Sequence, residues 1–513
     1  MTEPVKKHIA IVTGRLKHTL VACLLAIVTA CAPVGPEFVK PEADLPAGWS
    51  TEAGGLLQTS PVEQPRWWLV FKDPLLNELI ETAWQNNNSL EIAGLRILEA
   101  RAQLGIAQGS QYPQSQLAVG DATYVSPANN LGGGSNFWQY GIGASASWEI
   151  DFWGKFRRGI EAADAAYLSS IAARDQALVL LTAQVVNTYT IIRINEEQLR
   201  FAHENVQIQQ RSYDITSVMY RNGSDSELDM QQALTLLLST QATIPAYEVA
   251  LVQARNAMNT LLGEPPGSID DILSDSIGIP ELPETIEVGI PADLLRRRPD
   301  VRQAELNALA QNARVGLAQA DLYPSFSLTG SIGLVAGGSS NSDFGDLFSS
   351  DALTFSIGPS FVWPFLNYDR IRNNVRVQDA RLQQALINYQ EVAIQAAREA
   401  EDAIASLNGA LAQTDILTQT VESARRSNEL SVLRFKEGFS DYQRVLDAQQ
   451  SLFAQQQRLI TQRGSSVLSL VSLYKSLGGG WENQGERALI SDQSRQQMEQ
   501  RTNWGDLLDS SKE

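Results

Sequence analysis

The sequence predicts a mixed α and β membrane protein whose amphipathic strands join directly to very long helices. In residues 137–150 the apolar side chains, Trp138 and Trp148 among them, alternate with smaller or more polar ones such as glycine, serine and glutamate. From Lys155 the apolar spacing changes to threes and fours, and no proline interrupts the chain as far as residue 220. A helix over 155–220 would be roughly 100 Å long, which no compact domain needs.

The third observation is that this pattern occurs twice. Landmarks in the strands and turns repeat at a spacing of 215 residues, and a tyrosine-proline pair repeats at a spacing of 211. The matched pairs are Trp148 with Trp363, Gly223 with Gly438, Leu262-Gly263 with Leu477-Gly478, and Tyr112-Pro113 with Tyr323-Pro324. Each half therefore predicts a helix, two strands, a very long helix, a tight turn and a shorter helix, as expected of an internal duplication.

The N-terminus is predicted to be a targeting segment. Basic residues precede a short apolar run from Leu20 to Ala30, and the run ends before Cys31 as in a bacterial lipobox. We expect a lipoprotein signal peptide over 1–30, a covalent lipid on Cys31 and an extended, lipid-anchored segment over 31–65. An ordinary signal peptide with an incidental cysteine is the alternative.

The boundaries of the remaining elements follow from the same periods. The first repeat is predicted over 66–263, with a helix from about Leu75 to Leu104, strands at about 114–124 and 137–150, a long helix over 155–220, a turn at Gly223 and a return helix kinked at Pro245. After a link over 264–291, the second repeat is predicted over 292–478, with a first helix opened by Pro291 to Asp300, strands at about 325–335 and 352–365, a long helix over 369–435, a turn at Gly438 and a return helix. The polar residues 479–513 are expected to form a mobile tail.

The four predicted strands suit a thin outer membrane of about 25 Å, with Trp138, Trp148 and Trp363 at its interfaces. No stretch of about 20 consecutive apolar residues follows the targeting segment, so strands are the elements expected to span the membrane. Four strands cannot close a barrel, and an open strand edge is not tolerated in lipid. Several chains must therefore share one barrel, with eight strands in a dimer and twelve in a trimer.

The composition argues against nucleic acid binding and against catalysis. The chain has 58 acidic and 40 basic residues, a net charge of −18, so nucleic acid is not an expected partner. His8 and His18 would leave with the signal peptide, and His203 and the thiol of Cys31 would remain. These residues supply no catalytic triad and no metal site, so we expect no enzyme activity and no cofactor beyond the lipid on Cys31.

Several stretches resemble the outer-membrane factor family, the TolC-type outer-membrane efflux proteins, and within it the lipoprotein branch. They are Cys31 to Pro41 (CAPVGPEFVKP), Trp148 to Ala166 (WEIDFWGKFRRGIEAADAA), Asp293 to Glu305 (DLLRRRPDVRQAE) and the two glycine-centred turns. The resemblance implies a homotrimer whose 12-strand outer-membrane β-barrel continues into a long periplasmic 12-helix α-barrel. It also implies a passive exit duct for drugs or other small toxic compounds, with a periplasmic adaptor (membrane fusion protein) and a proton-driven inner-membrane pump as partners.

The resemblance places both turns at the periplasmic mouth and implies that the adaptor docks at Gly223 and Gly438. Acidic residues, Asp225 and Glu227 among them, follow the first turn. Asp447, after the second turn, matches a family position that lines the mouth. Three copies would form a ring of carboxylates there, which repel one another and favour cations.

Five further residues complete the predicted gate. Asp229, Asp441 and Arg444 are its other charged candidates, and Arg444 stands where some family members carry an acid. Tyr220 and Phe435, each three residues before a turn glycine, match positions that keep the mouth closed in family members. The alternative function is a lipid-anchored trimeric stalk or adhesin without conductance, although a stalk would need no tryptophan-flanked hairpins.

Overall fold

The structure is a computed structural model. It describes residues 33–42, 48–50, 57–58, 66–126, 136–270, 273, 278–283, 285–287, 297–337, 343–482 and 488–508. Cys31 lies outside the described residues. The chain divides into two compact units. Unit 1 comprises Met1–Pro41, Leu98–Ser169 and Ala304–Tyr389, and unit 2 comprises Glu42–Ile97, Ser170–Gln303 and Gln390–Glu513.

Unit 1 contains a four-stranded antiparallel sheet. Its strands are β2 (Ser115–Val125), β3 (Phe137–Ile150), β5 (Ser325–Ala336) and β6 (Leu353–Val362), in the order β2-β3-β5-β6. Residues opposite one another share a face, and the register aligns Ala118, Ala144, Ile332 and Phe355 in one row across all four strands. Among the described residues, β2 and β6 each pair on one side only, so both edges of the sheet are open.

The two faces of the sheet differ sharply in polarity. One face carries large apolar side chains that stay exposed in the single chain, and it includes Ile142, Ile332, Phe355 and Ile357. The other face is mainly glycine, serine and threonine. Apolar side chains this large seldom form an exposed patch on a soluble monomer. We therefore expect the first face to be covered by lipid or by another apolar surface.

The second hairpin differs from its prediction in two details. β6 ends at Val362 rather than at 365, and it continues through Pro359, which is paired with Leu328. The connection before it, where the sequence predicts no helix or strand, contains two short 3₁₀ turns over Phe344–Phe348 and Ser350–Ala352. Asp343 and Asp346 close the first of these turns with a capping box, which satisfies its free N–H groups.

Nine α-helices are described. They are α1 (Pro74–Asn86), α2 (Asn88–Gly109), α3 (Lys155–Arg221), α4 (Glu227–Gln241), α5 (Ile244–Leu261), α6 (Pro299–Ala320), α7 (Arg370–Lys436), α8 (Tyr442–Ser476) and α9 (Asp492–Arg501). α3 and α7 contain 67 residues each, close to the predicted 155–220 and 369–435. The first six of the residues predicted to open α6 lie outside the described residues, and α6 begins at Pro299.

Two helices predicted as continuous are each divided. The helix that opens the first repeat breaks at Asn87, whose extended backbone ends α1 while its side-chain oxygen accepts from the Leu90 N–H at 3.0 Å and so caps α2. The return helix, predicted to be kinked at Pro245, is instead broken into α4 and α5. Proline lacks an N–H but fits the first turn of a helix, so Pro245, the second residue of α5, costs no hydrogen bond there.

The expected mobile C-terminal tail is wrong for residues 488–508. This segment forms α9 and buries Ile490, Met498 and Leu508. The Glu91 carboxylate accepts from the Ser491 hydroxyl at 2.6 Å and from its backbone N–H at 3.1 Å. The polar composition concealed these three apolar side chains, which are enough to hold a short segment onto a larger core.

The main core lies in unit 2, around the tryptophans that precede α1. Its fully buried side chains include Trp67, Leu76, Ile80, Tyr189 and Leu470. A two-residue parallel pairing of β1 (Leu57–Gln58) with β4 (Ile286–Glu287), not predicted from the sequence, lies in the same unit.

The sequence predicts no transmembrane helix after the targeting segment, and the described helices can be compared with this prediction by length and hydropathy. One of them, α3, is long and apolar enough to cross a membrane by length and composition alone, with a window of mean hydropathy 1.5. That window is 67% buried inside the chain, as the core helix of a folded protein is also expected to be.

Candidate functional site

The first turn at the predicted mouth is formed by the residues that follow α3. The Gly223 N–H donates to the Tyr220 carbonyl oxygen at 2.9 Å, and the Ser224 N–H donates to that of Met219 at 2.8 Å. Gly223 has a φ of +72°, the left-handed conformation that a side chain disfavours. The Ser226 side chain then caps α4 by accepting from the Asp229 N–H at 3.2 Å.

The second turn repeats this geometry. The Gly438 N–H donates to the Phe435 carbonyl oxygen at 3.0 Å, the Phe439 N–H donates to that of Arg434 at 2.8 Å, and Gly438 has a φ of +76°. A Cβ added at either Gly223 or Gly438 would meet open space. Glycine is therefore required at both turns by the backbone angle and not by crowding.

A small apolar cluster joins the elements that meet at these turns. Its buried members come from the starts of α4 and α8, and half-buried side chains from the ends of α3 and α7 pack against them. They are Ala233, Leu236, Tyr442, Val445 and Leu446, with Tyr213, Val432 and Phe435 at the margin. We call this set the tip cluster. Because it is separate from the main core, its packing depends on few residues.

Phe435, one of the predicted aromatic gate residues, belongs to the tip cluster, whereas Tyr220 does not. The Phe435 ring meets the Tyr442 ring edge-on, with centroids 5.4 Å apart and an interplanar angle of 65°. Tyr220 is 39% exposed, and its backbone carbonyl oxygen accepts the Gly223 N–H hydrogen bond of the first turn. The sequence singled out Phe435 but missed Tyr442, whose place in the apolar spacing of α8 was the available signal.

The acidic residues after Gly223 form a hydrogen-bonded group. Asp225 accepts from the Ser226 N–H at 2.9 Å, and the Ser226 hydroxyl donates to Asp229 at 2.6 Å. Burial, and then a hydrogen bond with Asp229, raises the pKa of Asp225 above its usual range. Burial also raises the pKa of Tyr442 to about 12, and the charges of Asp229 and Asp225 add to that shift, so these carboxylates lie near the tip cluster.

The charged gate candidates of the second turn are exposed. Arg444 and Asp441 form a loose ion pair at 3.8 Å, with both side chains 72% exposed. Asp447 accepts a hydrogen bond from Gln443, one turn earlier in α8, at 2.9 Å. Within one chain the Asp447 carboxylate is therefore exposed to solvent.

The three predicted interface tryptophans lie in unit 1 and are partly exposed. The indole N–H of Trp148 donates to the Gln111 carbonyl oxygen at 3.0 Å, and that of Trp363 donates to the Leu322 carbonyl oxygen at 3.1 Å. These two hydrogen bonds are equivalent in the two repeats. Trp138, toward the hairpin end of the sheet, stacks with Tyr140 at a centroid distance of 6.0 Å.

Residues shortly after Cys31 are held on unit 1 by Arg158, which sequence reasoning did not single out. Its buried guanidinium donates to the carbonyl oxygens of Val34, Gly35 and Pro36 at 3.2, 3.4 and 3.3 Å. The Val34 N–H in turn donates to the Trp153 carbonyl oxygen at 3.0 Å. The described part of this segment is thus fixed beside the residues that connect β3 to α3.

Within the part of the chain that the structure describes, no group of three or more histidine, cysteine, aspartate or glutamate side chains is arranged to hold a metal ion.

Comparison with known proteins identifies the family. The family model described as "Outer membrane efflux protein" matches residues 79–264 and again residues 290–479, one match for each repeat. The cation efflux system protein CusC of Escherichia coli is 31% identical over 468 residues, which are 90% of this chain and 98% of CusC. The probable outer membrane lipoprotein SilC of Salmonella typhimurium is 30% identical and covers 89% of this chain and 97% of its own length.

A solved structure agrees with these relatives. The outer-membrane channel OprN superposes with a TM-score of 0.82 at 28% sequence identity, and the match covers 87% of this chain and 99% of OprN. The TolC-type fold, with four strands and two very long helices per chain, is therefore confirmed. This chain belongs to the outer membrane efflux protein family and is a non-enzymatic channel component of an efflux system in the bacterial outer membrane.

Proposed function

We propose that three copies of this chain form the exit duct of a tripartite efflux system. The duct passively conducts drugs or other small toxic compounds that an inner-membrane pump delivers through a periplasmic adaptor. The single observation that carries the proposal is the sheet of unit 1, which combines one exposed apolar face, one polar face and two open edges. In lipid, such a sheet is stable only as part of a closed barrel.

The polarity of the two faces supports conduction. With its apolar face toward lipid, a barrel built from this sheet is lined by Ser145, Ser147, Ser331 and Ser356. Such a lining is small and polar, which suits the passage of chemically different compounds. The duct therefore leaves the choice of substrate to its pump, and cations, which the name of CusC mentions, are one class to test.

The periplasmic gate lies at the two turns in this proposal. Asp447 forms a threefold ring of carboxylates, with Asp229, Asp441 and Arg444 near it. The exposure of the Asp447 carboxylate supports this role, since its described hydrogen bond, from Gln443, lies within the same helix. Gly223 and Gly438 provide two equivalent surfaces on which an adaptor docks.

A lipid on Cys31 anchors the chain to the membrane. The described residues that follow it are fixed by Arg158 beside the helix end of the strands, which supports an anchor at that level. The name of SilC also identifies that relative as a lipoprotein. Labelling of cells with radioactive palmitate should mark the wild-type chain, and Cys31→Ser should abolish the label.

Deletion of this chain from its host tests the transport function. Without the duct, cells should accumulate more of an efflux dye and become more sensitive to at least one of three classes of compound: antibiotics, organic solvents and toxic cations. Wild-type chain should restore the original level. Unchanged accumulation and sensitivity for all three classes would contradict the proposal and favour a stalk without conductance.

A further inference from the structure

The structure indicates how one copy of the chain joins the next, an inference that rests on the shared barrel proposed above. The two repeats already meet inside each chain, where β3 of the first pairs with β5 of the second. The open edges β6 and β2 are the equivalents of β3 and β5. The intrachain joint is therefore a template for the joint between copies.

The hairpins define which residues are equivalent. Ser115 faces Ser147 in the first hairpin, and Ser325 faces Val362 in the second. Since Ser147 and Val362 are related by the 215-residue repeat, Ser115 is the equivalent of Ser325 in the ladder, at a spacing of 210. The spacing is 211 in the preceding helices and 210 in the strands. The first repeat therefore contains one extra residue at the start of β2, beside Gln114.

Gln114 explains the difference. Its side-chain oxygen accepts from the Glu149 N–H at 2.7 Å, and its side-chain nitrogen donates to the Glu149 carbonyl oxygen at 3.1 Å. The amide of Gln114 thereby takes the place of a backbone pair at the end of the ladder. One extra residue enters the first hairpin without changing which face each later side chain occupies.

The template then specifies one register. Within the chain, Ser147 of β3 faces Thr329 of β5. Their equivalents are Val362 in β6 and Val119 in β2. We propose that a second copy of this chain adds its β2 to β6 in the antiparallel register that places Val119 opposite Val362.

The polarity of the sheet supports this register independently. In the half of the sheet nearest the helices, the polar face has three apolar exceptions, Leu117, Val119 and Val362, which are 56%, 53% and 66% exposed. All three lie on the open edge strands. The proposed register brings Val119 against Val362 and places Leu117 opposite Pro364, so each apolar side chain gains an apolar neighbour. A slip of one residue would instead bring the apolar face of one copy beside the polar face of the next.

An aromatic contact completes the joint. Within the chain, Trp153 stacks on Tyr323 with ring centroids 4.5 Å apart. Their equivalents, Tyr368 and Tyr112, are 94% and 70% exposed. Tyr368 also has a φ of +46°, an uncommon conformation for an aromatic residue. In the proposed joint Tyr368 of one copy stacks on Tyr112 of the next, as Trp153 does on Tyr323.

Paired cysteines in the full-length chain test the register. Val119→Cys with Val362→Cys should give covalent dimers and closed trimers on a non-reducing gel after mild oxidation, because directly opposite residues bring their Cβ atoms within disulfide range. Val119→Cys with Ser360→Cys is the matched control on the same face, two residues out of register, and should give at least fivefold less product. The single variants control for pairing with Cys31.

The outcomes separate this inference from the proposed function. An oligomeric mass together with stronger cross-linking of the 119 and 360 pair, or with no cross-linking of either pair, would overturn the register and leave the shared barrel intact. A monomeric mass in every detergent would overturn both.

The aromatic contact has a test of its own. Tyr368→Ala should lower the temperature at which the oligomer dissociates in detergent, whereas Tyr368→Phe, which keeps the ring, should dissociate at the wild-type temperature. Equal losses in the two variants would overturn the aromatic contact.

Discussion

The ring of Phe435 meets that of Tyr442 edge-on at 5.4 Å, and this contact joins the end of α7 to the start of α8 across the turn at Gly438. Edge-to-face pairs of this kind contribute about 1 kcal/mol beyond the area that they bury. In a cluster with so few members, that is a large share of the packing that holds the turn. In the proposed duct, the tip cluster is therefore the packing that we expect to keep the mouth closed.

Phe435→Ala should loosen the tip cluster by about 2 kcal/mol, less than the cost at a fully buried phenylalanine because Phe435 is half-buried. The expected result is faster hydrogen exchange of the amides around Gly438 and a larger single-channel conductance. Phe439→Ala is the matched control, since Phe439 lies in the same turn but is 80% exposed. Equal behaviour of the two variants would remove Phe435 from the gate.

Asp447→Ala should weaken the closed mouth and reduce its preference for cations, because it removes three carboxylates from the ring at once. Conductance and the ratio of cation to anion permeability are the quantities to measure in a planar bilayer. Asp415→Ala is the control, because Asp415 is an exposed carboxylate of α7 that also accepts from a glutamine one turn away. Its partner is Gln419, four residues later, at 3.1 Å, whereas the partner of Asp447 lies four residues earlier. If the conductance and the permeability ratio of Asp447→Ala both stay at their wild-type values, Asp447 does not line the narrowest point.

Much of the fold could be predicted from the sequence, because it depends on periods and on the repeat. Alternation in β3 and the proline-free run of α3 depend on local spacing alone, and the observed bounds of both elements lie within one residue of the prediction. The break at Asn87 could not be predicted in this way. It depends on a tertiary partner, since the Asn87 side-chain amide donates to the Leu261 carbonyl oxygen at 2.9 Å.

The candidate site was less predictable. The glycines at the two turns follow from backbone chemistry, and the structure shows the positive φ angles that explain them. The proximity of Asp225 and Asp229 to Tyr442 could not be deduced, because these residues are more than 200 positions apart in the chain. The docked C-terminal segment was missed because its polar composition conceals its few apolar side chains, and because its partner Glu91 lies 400 positions from Ser491.

Asp175→Asn should stabilise the chain at neutral pH. Asp175 is buried in α3, and this burial raises its pKa from 3.8 to about 6. A raised pKa favours the protonated carboxyl in the native state, so the stability that it contributes is complete below pH 3.8 and is lost as the pH rises through about 6. The difference of two units corresponds to a loss of about 3 kcal/mol.

The test for Asp175 is the midpoint of thermal unfolding, followed between pH 4 and 8. The wild-type midpoint should fall across this interval more steeply than that of Asp175→Asn. Asp164→Asn, which changes an exposed carboxylate of the same helix, should follow the wild type. Parallel curves for wild type and Asp175→Asn would show that ionisation of Asp175 does not destabilise the native state.

Gly94→Ala should detach the C-terminal segment. A Cβ at Gly94 would overlap the backbone carbonyl oxygen of Leu489. Backbone atoms cannot change rotamer as a flexible side chain can, so the segment itself would have to move. Limited proteolysis should then remove the residues beyond 488 from the variant faster than from the wild type. Gly105→Ala, in the same helix but with open space around it, should leave the rate unchanged, and an unchanged rate for Gly94→Ala would contradict the docking.

The most direct test of the shared exit duct is the mass of the purified, detergent-extracted oligomer, determined together with its single-channel conductance in a planar bilayer. We expect a mass of three chains and small, cation-preferring conductance steps, which grow when Asp447 is replaced by alanine. A trimer that never conducts, in the wild type or in Asp447→Ala, would contradict the duct and favour a structural stalk. A stable monomer would contradict the shared barrel itself.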